Sequence, residues 1–383
     1  MIIGIEAQRI FRKKKHGMDM VALELIKNLM EIDTKNTYYI FVKPDSDKCI
    51  CSNGNFHVIE LNGGPYPLWE QYALPHAARK FKCDLLHCTS NTAPIFGKTP
   101  LVITLHDIIY LESLVFLKKG GSAYQRLGNL YRRIVVPPVV RKSKVVVTVS
   151  NFEQNRISAH MGVSDNLTYI YNGVGDHFGI ISQQGQLDQC KQTYNLPDKF
   201  VFFLGNTDPK KNTPNVLKAF AHFNNNNNNE YSLVMLDFEE SALMQILNDI
   251  EEPAIRKYIL LTGYIPNNEL PKIINLCTLF LYPSLRESFG IPILEGMACG
   301  APVVTSNTSS MPEIAGDAAL IVEPTNYLSI SNAMQMIIDN PLLRESLIDK
   351  GLKRASMFSW KEMAKKYLEL YKTTFNSISH DKE

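Results

Sequence analysis

The feature that most constrains the fold of this chain is the alternation of short, continuously apolar runs with longer amphipathic stretches. Three of the runs are LVITLHD at 101–107, VVVTVS at 145–150 and FVFFLGN at 200–206. A strand that is apolar at successive positions is buried on both faces, which is typical of a parallel sheet covered by helices. The alternation therefore predicts an α/β fold built from strand–helix repeats.

The alternation is interrupted by a polar, glutamine-rich stretch at 179–198 and then resumes. Single cores stop growing near about 250–300 residues, so a chain of 383 residues favours more than one domain. We predict two Rossmann-like, doubly wound domains, residues 1–180 and 181–358, facing each other across a cleft. An amphipathic helix at 359–377, with a wide aromatic face, is predicted to return to the first domain. Six consecutive asparagines at 224–229 are predicted to form an extended surface loop.

The charge of the chain is unevenly distributed, although its formal net value is only +2. Residues 1–180 carry 22 Lys and Arg against 15 Asp and Glu, whereas the remainder carries 18 against 23. This asymmetry indicates a polyanionic or membrane-surface partner for the first half, unless both halves are simply solvated.

The cysteines and the N-terminal segment indicate the compartment. Seven cysteines without a C-x-x-C pair are typical of reduced thiols in a cytosolic protein, and they argue against a zinc site. The first residues lack the charge order and apolar core of a signal peptide, and no apolar run is long enough to cross a bilayer. We therefore expect a cytoplasmic protein.

Two stretches have the composition of a phosphate site. In FVFFLGNTDPKKN a predicted strand ends at Gly205, and Lys210 and Lys211 precede a helix. Gly17 stands between the basic run at 12–15 and another predicted helix, where backbone N–H groups can approach an anion. Either stretch could equally be a solvated or, for the basic run, a membrane-facing surface.

His106 and Asp107 follow an apolar strand directly. Ligands of open α/β sheets bind beyond the carboxyl ends of the strands, so this pair is a candidate for the cleft. The alternative is a strand-end histidine whose ring is satisfied by the backbone. No G-x-G-x-x-G occurs, so the sequence offers no support for a nicotinamide or flavin dinucleotide site.

The most informative stretch is RESFGIPILEGMACGAPVV, which contains Glu287 and Glu295. Pro292 suits the first turn of a helix, and Glu295 is predicted to lie in that turn. Free backbone N–H groups from 288–293, together with the helix dipole, would form an anion site for a diphosphate. Carboxylates accept two hydroxyls well, so the vicinal diols of a ribose or hexose are natural partners. Alternatively, Glu287 is a surface residue and Glu295 a charge near the helix N-terminus.

The full phrase PSLRESFGIPILEGMACGAPVVTSNTSSMPEIAGDAALIVEP resembles the signature of glycosyltransferase family 4, whose members are retaining enzymes with the GT-B fold. FLGNTDPKKN is similar to the phosphate-binding phrase of that family, and LLTGYIPNNELPKII is similar to its base-binding region. WEQYALP and LLHCTSNTAPI resemble members that act on lipopolysaccharide or capsule glycans, many of them mannosyltransferases. The resemblance covers nearly the whole chain.

The resemblance implies roles for individual residues. Glu287 would hold the hydroxyls of the donor sugar near the reacting face, and Glu295 would hold the nucleotide ribose. Lys211 would neutralise the leaving diphosphate, with Lys210 as the weaker candidate for a second cation. His106 would contact the donor sugar near the anomeric centre.

The remaining implied contacts involve the backbone or the base. Gly17 would allow close backbone approach of the diphosphate, and Tyr264 and Ile265 would flank the base. The other donor-binding positions implied by the resemblance are Gly205, Ser288, Phe289, Gly290 and Ile291. Asn206 stands where family members often carry an arginine, which leaves Lys211 with more of the diphosphate charge. The resemblance implies no cofactor and no obligatory metal, because helix N-termini and Lys211 can stabilise the departing diphosphate.

The predicted reaction is retaining transfer of a hexose from a nucleoside-diphosphate sugar, with GDP-mannose preferred, to a glycan or lipid-linked acceptor in surface-polysaccharide synthesis. The alternatives are a UDP-sugar-dependent glycosyltransferase, another GT-B enzyme such as an epimerase or phosphorylase, and a non-enzymatic sugar-binding protein. We expect the acceptor in the first domain, no nucleic-acid partner, and peripheral contact with the inner face of an anionic membrane. The basic stretches behind that expectation are Arg12 to Lys15, Lys118-Lys119, Arg132-Arg133 and Arg141 to Lys144.

Overall fold

The computed structural model describes residues 1–112 and 123–380. The chain forms two compact units. The first unit combines Met1–Asn172 with Trp360–Glu383, and the second consists of Gly173–Ser359. In the part of the chain that the structure describes, each unit is built on one parallel sheet, of seven strands in the first and six in the second. The predicted α/β fold with two doubly wound sheets is confirmed.

The first unit has the strand order β3-β2-β1-β4-β5-β6-β7, and all neighbouring strands are parallel. The order reverses at β1, so the crossovers from β1 to β3 and those from β3 to β7 cover opposite faces of the sheet. The strands are β1 Ile2–Glu6, β2 Thr37–Val42, β3 Phe56–Glu60, β4 Leu85–Cys88, β5 Leu101–Thr104, β6 Val145–Thr148 and β7 Leu167–Tyr169.

The helices of the first unit include the C-terminal helix, Trp360–His380, which packs against the first helix, α1, at Gly17–Ile32. Its apolar face carries Tyr367 and Tyr371, both buried. Between α2 and α3 a π-helical turn, Trp69–Ala73, keeps the three segments continuous. The other helices are α1 Gly17–Ile32, α2 Tyr66–Leu68, α3 Leu74–Lys80, α4 Ile109–Glu112, α5 Ala123–Lys142 and α6 Asn151–Met161.

The second unit has the strand order β10-β9-β8-β11-β12-β13, again with parallel neighbours. The strands are β8 Phe200–Phe203, β9 Ser232–Met235, β10 Ile259–Leu261, β11 Leu279–Tyr282, β12 Val303–Ser306 and β13 Ala319–Val322. The helices are α7 Gln184–Thr193, α8 Thr213–Asn226, α9 Glu240–Asp249, α10 Leu270–Leu276, α11 Ile291–Ala298, α12 Met311–Ala315, α13 Tyr327–Asp339 and α14 Pro341–Ser356. Short 3₁₀ helices occupy Pro209–Lys211 and Pro253–Tyr258.

The asparagine run does not form the extended loop that its composition predicts. Helix α8 continues through Asn226, and Asn224 is buried. The side-chain oxygen of Asn224 accepts a hydrogen bond of 3.0 Å from the Tyr231 amide. Asn227 donates to the Phe223 carbonyl at 2.8 Å. The prediction was wrong because these amide side chains form hydrogen bonds with backbone groups at the end of a packed helix. A low-complexity composition does not reveal such contacts.

Over residues 1–112 and 123–380, every helix is too short or too polar to traverse a bilayer.

Candidate active site

The loops that follow β8 and β11 meet at one edge of the second sheet. These strands are neighbours, and the carboxyl ends of parallel strands lie on the same edge. The Leu285 amide donates to the Lys210 carbonyl at 2.7 Å, which ties the two loops together. The sheet order therefore brings the lysine pair predicted for a phosphate site next to the acidic loop, residues 283–290, which carries Glu287.

Lys211 and Glu287 form an ion pair at this edge. The Lys211 Nζ lies 2.7 Å from Oε1 of Glu287 and 2.8 Å from the hydroxyl of Tyr282. The side chains of Lys211 and Glu287 are only 17% and 14% exposed, so the pair is screened weakly by solvent. The site thus contains a fixed cation and a fixed carboxylate at adjacent positions.

Tyr282, the third member of this group, was not predicted from the sequence. It is the last residue of β11 and is buried, and its ring lies 4.7 Å from the Lys211 Nζ. Burial, followed by the negative charge of Glu287, raises the pKa of Tyr282 well above its ordinary value. The hydroxyl therefore stays protonated. A polar atom at the end of an apolar strand is the signal that could have revealed it.

Asn212 fixes the backbone beside Lys211. It is buried and adopts the left-handed conformation with φ of 63°, which asparagine tolerates better than most residues. Its Nδ2 donates to the Pro283 carbonyl at 3.0 Å and to the Pro324 carbonyl at 2.7 Å. One side chain thus connects the loops after β8, β11 and β13.

Two serines after β12 hold the acidic loop in place, and neither was predicted. The Ser310 hydroxyl lies 3.0 Å from the Glu287 carbonyl and 2.9 Å from the Phe289 carbonyl, both within hydrogen-bond distance. The Glu287 amide donates to the hydroxyl of Ser309 at 3.3 Å. Backbone contacts of this kind orient Glu287 without using its carboxylate.

Gly290 is the residue immediately before α11 and requires the conformational freedom of glycine. Its φ is 98°, and a β-carbon there would lie 3.1 Å from Cδ1 of Ile293. Within the described ranges, the amides of Gly290 and Ile291 donate to no acceptor. Fewer amides are free than the range 288–293 predicted. The Ile293 amide donates to the Gly290 carbonyl at 3.0 Å, and Pro292 has no N–H.

Glu295 lies in the second turn of α11, not in the first turn as predicted, because the helix already begins at Ile291, one residue before Pro292. The side chain is partly buried, and desolvation raises the pKa of its carboxyl to about 7. At neutral pH this carboxyl is therefore divided between its neutral and charged forms.

Lys210 and Gly205 have local roles in the loop after β8. The Lys210 Nζ lies 3.4 Å from Oδ2 of Asp208 on the exposed side of the loop. A β-carbon at Gly205 would lie 2.1 Å from Cε1 of the buried Phe203 ring, so close packing accounts for that glycine. Asn206, at the position where an arginine is common, accepts from the Asp208 amide at 2.9 Å.

The other positions predicted for the second unit are distributed around the same sheet edge. Tyr264 and Ile265 follow β10, with Tyr264 71% exposed and Ile265 buried. In the acidic loop, Phe289 is buried and its ring centroid lies 6.1 Å from that of Phe358. Ser288, beside it, is partly exposed.

His106 follows β5 in the first unit and is buried. Its Nε2 lies 3.0 Å from the Thr89 carbonyl, and its amide donates to Oδ1 of Asn91 at 2.6 Å. A carbonyl only accepts, so Nε2 carries the proton. Burial lowers the pKa of His106, so the ring is neutral and Nδ1 is an acceptor. The ring has the backbone partner foreseen in the alternative interpretation, and it keeps one acceptor nitrogen.

Gly17 begins α1, also in the first unit. The His16 amide donates to Oδ2 of Asp19 at 3.0 Å, which closes the first turn. A β-carbon at Gly17 would meet no atom within 4 Å, so the space above this residue is open. Across residues 1–112 and 123–380, no three His, Cys, Asp or Glu side chains are grouped to hold a metal ion.

Comparison with known proteins identifies the family. The model for glycosyl transferases group 1 matches residues 187–354, and the model for Glycosyltransferase Family 4 matches residues 17–177. The chain is 32% identical over 316 residues to O-antigen chain mannosyltransferase B of Escherichia coli, covering 80% of each protein. It is 27% identical to the O-antigen chain mannosyltransferase RfbU of Salmonella typhimurium, covering 72% of this chain and 71% of that protein.

Solved structures agree in fold. Sucrose-phosphate synthase from Thermosynechococcus elongatus superposes with a TM-score of 0.77 at 18% identity, covering 98% of this chain and 99% of that one. HepE of Anabaena, solved in complex with UDP, gives a TM-score of 0.76 at 17% identity, covering 97% and 99%. The chain therefore belongs to glycosyltransferase family 4 and is a glycosyltransferase with the GT-B fold.

Proposed function

We propose that this glycosyltransferase transfers mannose from GDP-mannose to a growing surface glycan with retention of configuration. The observation that carries the proposal is the Lys211–Glu287 pair beside the amides of Gly290 and Ile291. The names of the relatives, O-antigen chain mannosyltransferases, support mannose as the sugar and a surface polysaccharide as the product. A UDP-sugar donor is the second candidate, supported by the UDP complex of the structurally similar HepE.

In this proposal the diphosphate of the donor binds between Lys211 and the N-terminus of α11. The amides of Gly290 and Ile291 supply hydrogen bonds, and the helix dipole favours negative charge at that end. Negative charge develops on the diphosphate as the glycosidic bond breaks. A preorganised ammonium and two amides stabilise that charge without reorganising.

The two glutamates would bind different parts of the donor, Glu287 the sugar and Glu295 the ribose. The Glu287 carboxylate has one oxygen 2.7 Å from Lys211 and keeps further lone pairs for the hydroxyls of the sugar. Glu295, with its pKa raised to about 7, would both donate to and accept from the ribose diol. Tyr264 and Ile265 would flank the base, and the partly exposed Lys210 would add positive charge for the diphosphate.

Two residues of the first unit complete the proposed donor contacts. The Nδ1 of His106 would accept a hydrogen bond from a sugar hydroxyl near the anomeric centre, because Nε2 is already used. The open space above Gly17 would let a phosphate oxygen approach the backbone amides at the start of α1. Both roles follow the resemblance to the family.

We further propose that the first unit binds a glycan or lipid-linked acceptor at an anionic membrane. Helix α5 exposes Leu127, Leu130 and Ile134, which lie three and four residues apart and so share a face. Among the basic residues, Lys13, Lys14 and Arg141 are also exposed. Apolar side chains and lysines together favour an anionic bilayer surface.

Not every basic residue of the predicted surface is available for this contact. The Arg133 Nε donates to the Tyr110 carbonyl at 2.8 Å, and Lys142 donates to the carbonyls of Ile95 and Gly97. Lys118 and Lys119 lie outside the described residues. The proposed membrane surface therefore rests on α5 and the 12–15 loop.

The donor is tested by incubating the full chain with GDP-mannose, UDP-glucose and UDP-galactose and measuring sugar release. We expect GDP-mannose to be hydrolysed fastest, and NMR of the first product to show the anomeric configuration of the donor. Preferential hydrolysis of a UDP-sugar would replace the mannose proposal by the second candidate. An inverted first product would overturn retention.

The membrane contact is tested separately by co-sedimentation with phosphatidylcholine vesicles, with and without phosphatidylglycerol. We expect binding only to the anionic vesicles and a loss of binding at high salt. Leu130→Glu should reduce binding, whereas Leu342→Glu, at an exposed leucine of the second unit, should not. Equal binding to both vesicle types would contradict the electrostatic part of the proposal.

A further inference from the structure

Among residues 1–112 and 123–380, the Lys211 ammonium has two hydrogen-bond partners. It donates to Oε1 of Glu287 at 2.7 Å and to the Tyr282 hydroxyl at 2.8 Å. An ammonium has three N–H donors, so one donor is left for a ligand. Glu287 is a charged partner and Tyr282 is a neutral one, so binding of the donor would affect their hydrogen bonds to Lys211 differently.

Glu287 is the partner that a donor sugar would engage. Each hydroxyl that donates to its carboxylate competes with Lys211 for the same negative charge. Lysine has a long, flexible side chain, so a weakened hold by Glu287 would let the ammonium move. The Tyr282 hydroxyl is buried at the end of β11, where its position is set by the sheet.

We propose that Tyr282 is a positioning residue, whose hydroxyl keeps the Lys211 ammonium directed at the diphosphate while Glu287 is engaged by the donor sugar. The inference rests on the proposed function, because it assigns Tyr282 a task within the same donor site. Tyr282 acts through Lys211 and does not itself touch the donor.

Packing alone does not account for the hydroxyl. The preceding residues of β11, Leu279 to Leu281, are apolar, and the Tyr282 ring stacks on Phe280 with centroids 6.2 Å apart. A phenylalanine would make the same stack, and burying a hydroxyl is unfavourable unless it is hydrogen-bonded. The hydroxyl has its partner in Lys211. The phenol stays protonated because burial raises its pKa, and its oxygen accepts the Lys211 N–H at 2.8 Å.

The test is a double-mutant cycle on the full chain with GDP and UDP as probes. Tyr282→Phe is made in the native background and in Lys211→Met, and dissociation constants are measured by calorimetry. We expect Tyr282→Phe alone to weaken binding of the preferred nucleotide about 10-fold, the range for a hydrogen bond to a charged group. In the Lys211→Met background it should have no further effect, because its target is gone.

Tyr231→Phe is the matched control. Tyr231 is a buried tyrosine of the same unit, and Lys199 lies 5.7 Å from the centre of its ring, but it is not part of the donor site. We expect the nucleotide affinity of the Tyr231→Phe variant to equal that of the native chain. The turnover number should show the same difference: Tyr282→Phe should reduce kcat, and Tyr231→Phe should leave it unchanged.

Two results would overturn the inference while leaving the proposed function intact: native-like nucleotide affinity and kcat in Tyr282→Phe, or an equal loss in both backgrounds. An equal loss of affinity in both backgrounds would mean that the hydroxyl contributes only to stability. The cycle detects this, because a folding defect caused by Tyr282→Phe would lower affinity whether or not Lys211 is present. If the native chain binds neither GDP nor UDP while melting cooperatively, the proposed donor site fails and this inference fails with it.

Discussion

The Lys211 ammonium lies 2.7 Å from the Glu287 carboxylate although 76 positions separate the two residues. The parallel pairing of β8 with β11 makes this contact possible, and Asn212 holds the two loops together. The pair is mostly buried, so its electrostatic contribution exceeds that of a surface ion pair.

Lys211→Ala is expected to weaken binding of the donor diphosphate about 100-fold while leaving it measurable. Removal of the cation should also lower kcat by about 10²–10³-fold, as for loss of one preorganised electrostatic contact. Lys210→Ala is the comparison variant and should lose less affinity than Lys211→Ala, because the Lys210 Nζ lies 3.4 Å from Asp208 on the exposed side. Calorimetry with GDP and UDP and steady-state kinetics measure both effects. A similar loss in the two variants would contradict the assignment of Lys211 as the principal cation.

Glu295→Gln is expected to flatten the dependence of stability on pH. The folded-state pKa of Glu295 is raised to about 7, whereas in the unfolded chain the carboxyl titrates near about 4.3. The folded state therefore retains a proton that the unfolded state releases, and stability falls as pH rises through this window. The effect is up to roughly 3 kcal/mol, so Glu295→Gln should be more stable than the native chain at pH 8.

Urea unfolding at pH 5 and pH 8 measures this difference. Glu345→Gln, at an exposed position of α14, is the control and should follow the native profile. If the free energy of unfolding of Glu295→Gln changed with pH as much as that of the native chain, desolvation of this carboxyl would not be the source of the pH dependence.

Asn212→Gly should weaken nucleotide binding although Asn212 is not proposed to touch the donor. Glycine retains the left-handed conformation, but the carbonyls of Pro283 and Pro324 lose their donor. We expect a loss of about 1–3 kcal/mol in unfolding free energy and a lower nucleotide affinity, because the loop bearing Lys211 is released. Asn195→Gly, at an exposed asparagine with φ of 50°, should change neither quantity.

Tyr371→Phe is expected to destabilise the first unit. The Tyr371 hydroxyl lies 2.7 Å from Nδ1 of the fully buried His87, whose Nε2 lies 2.7 Å from the Thr104 hydroxyl. Loss of the phenol leaves a buried ring nitrogen without a partner, at a cost of about 1–3 kcal/mol. Tyr72→Phe, at a tyrosine that is 72% exposed, should be neutral. Chemical denaturation of both variants decides whether His87 anchors the C-terminal helix.

Much of the candidate site follows from local pattern. The helix that begins near Pro292 was predicted from local pattern, whereas Gly290 was implied by the family resemblance, and the structure places Gly290 in a backbone conformation suited to glycine. Glu295 was placed one turn too early, because the helix start was estimated from Pro292 and the actual first residue is Ile291. The serines at 309 and 310 and the Tyr282 hydroxyl were missed, because their function depends on neighbours distant in the chain.

The sequence by itself determined the alternating strands and helices and the family resemblance, because apolar periodicity and turn chemistry are properties of consecutive residues. It did not determine whether the asparagine run would extend a helix, since that depended on the burial of Asn224 beside Tyr231. Only the tertiary structure decided that Lys211, Tyr282 and Glu287 form one group. Strand order in a parallel sheet brings distant loops to one edge, and burial there sets the strength and the protonation of the groups that meet.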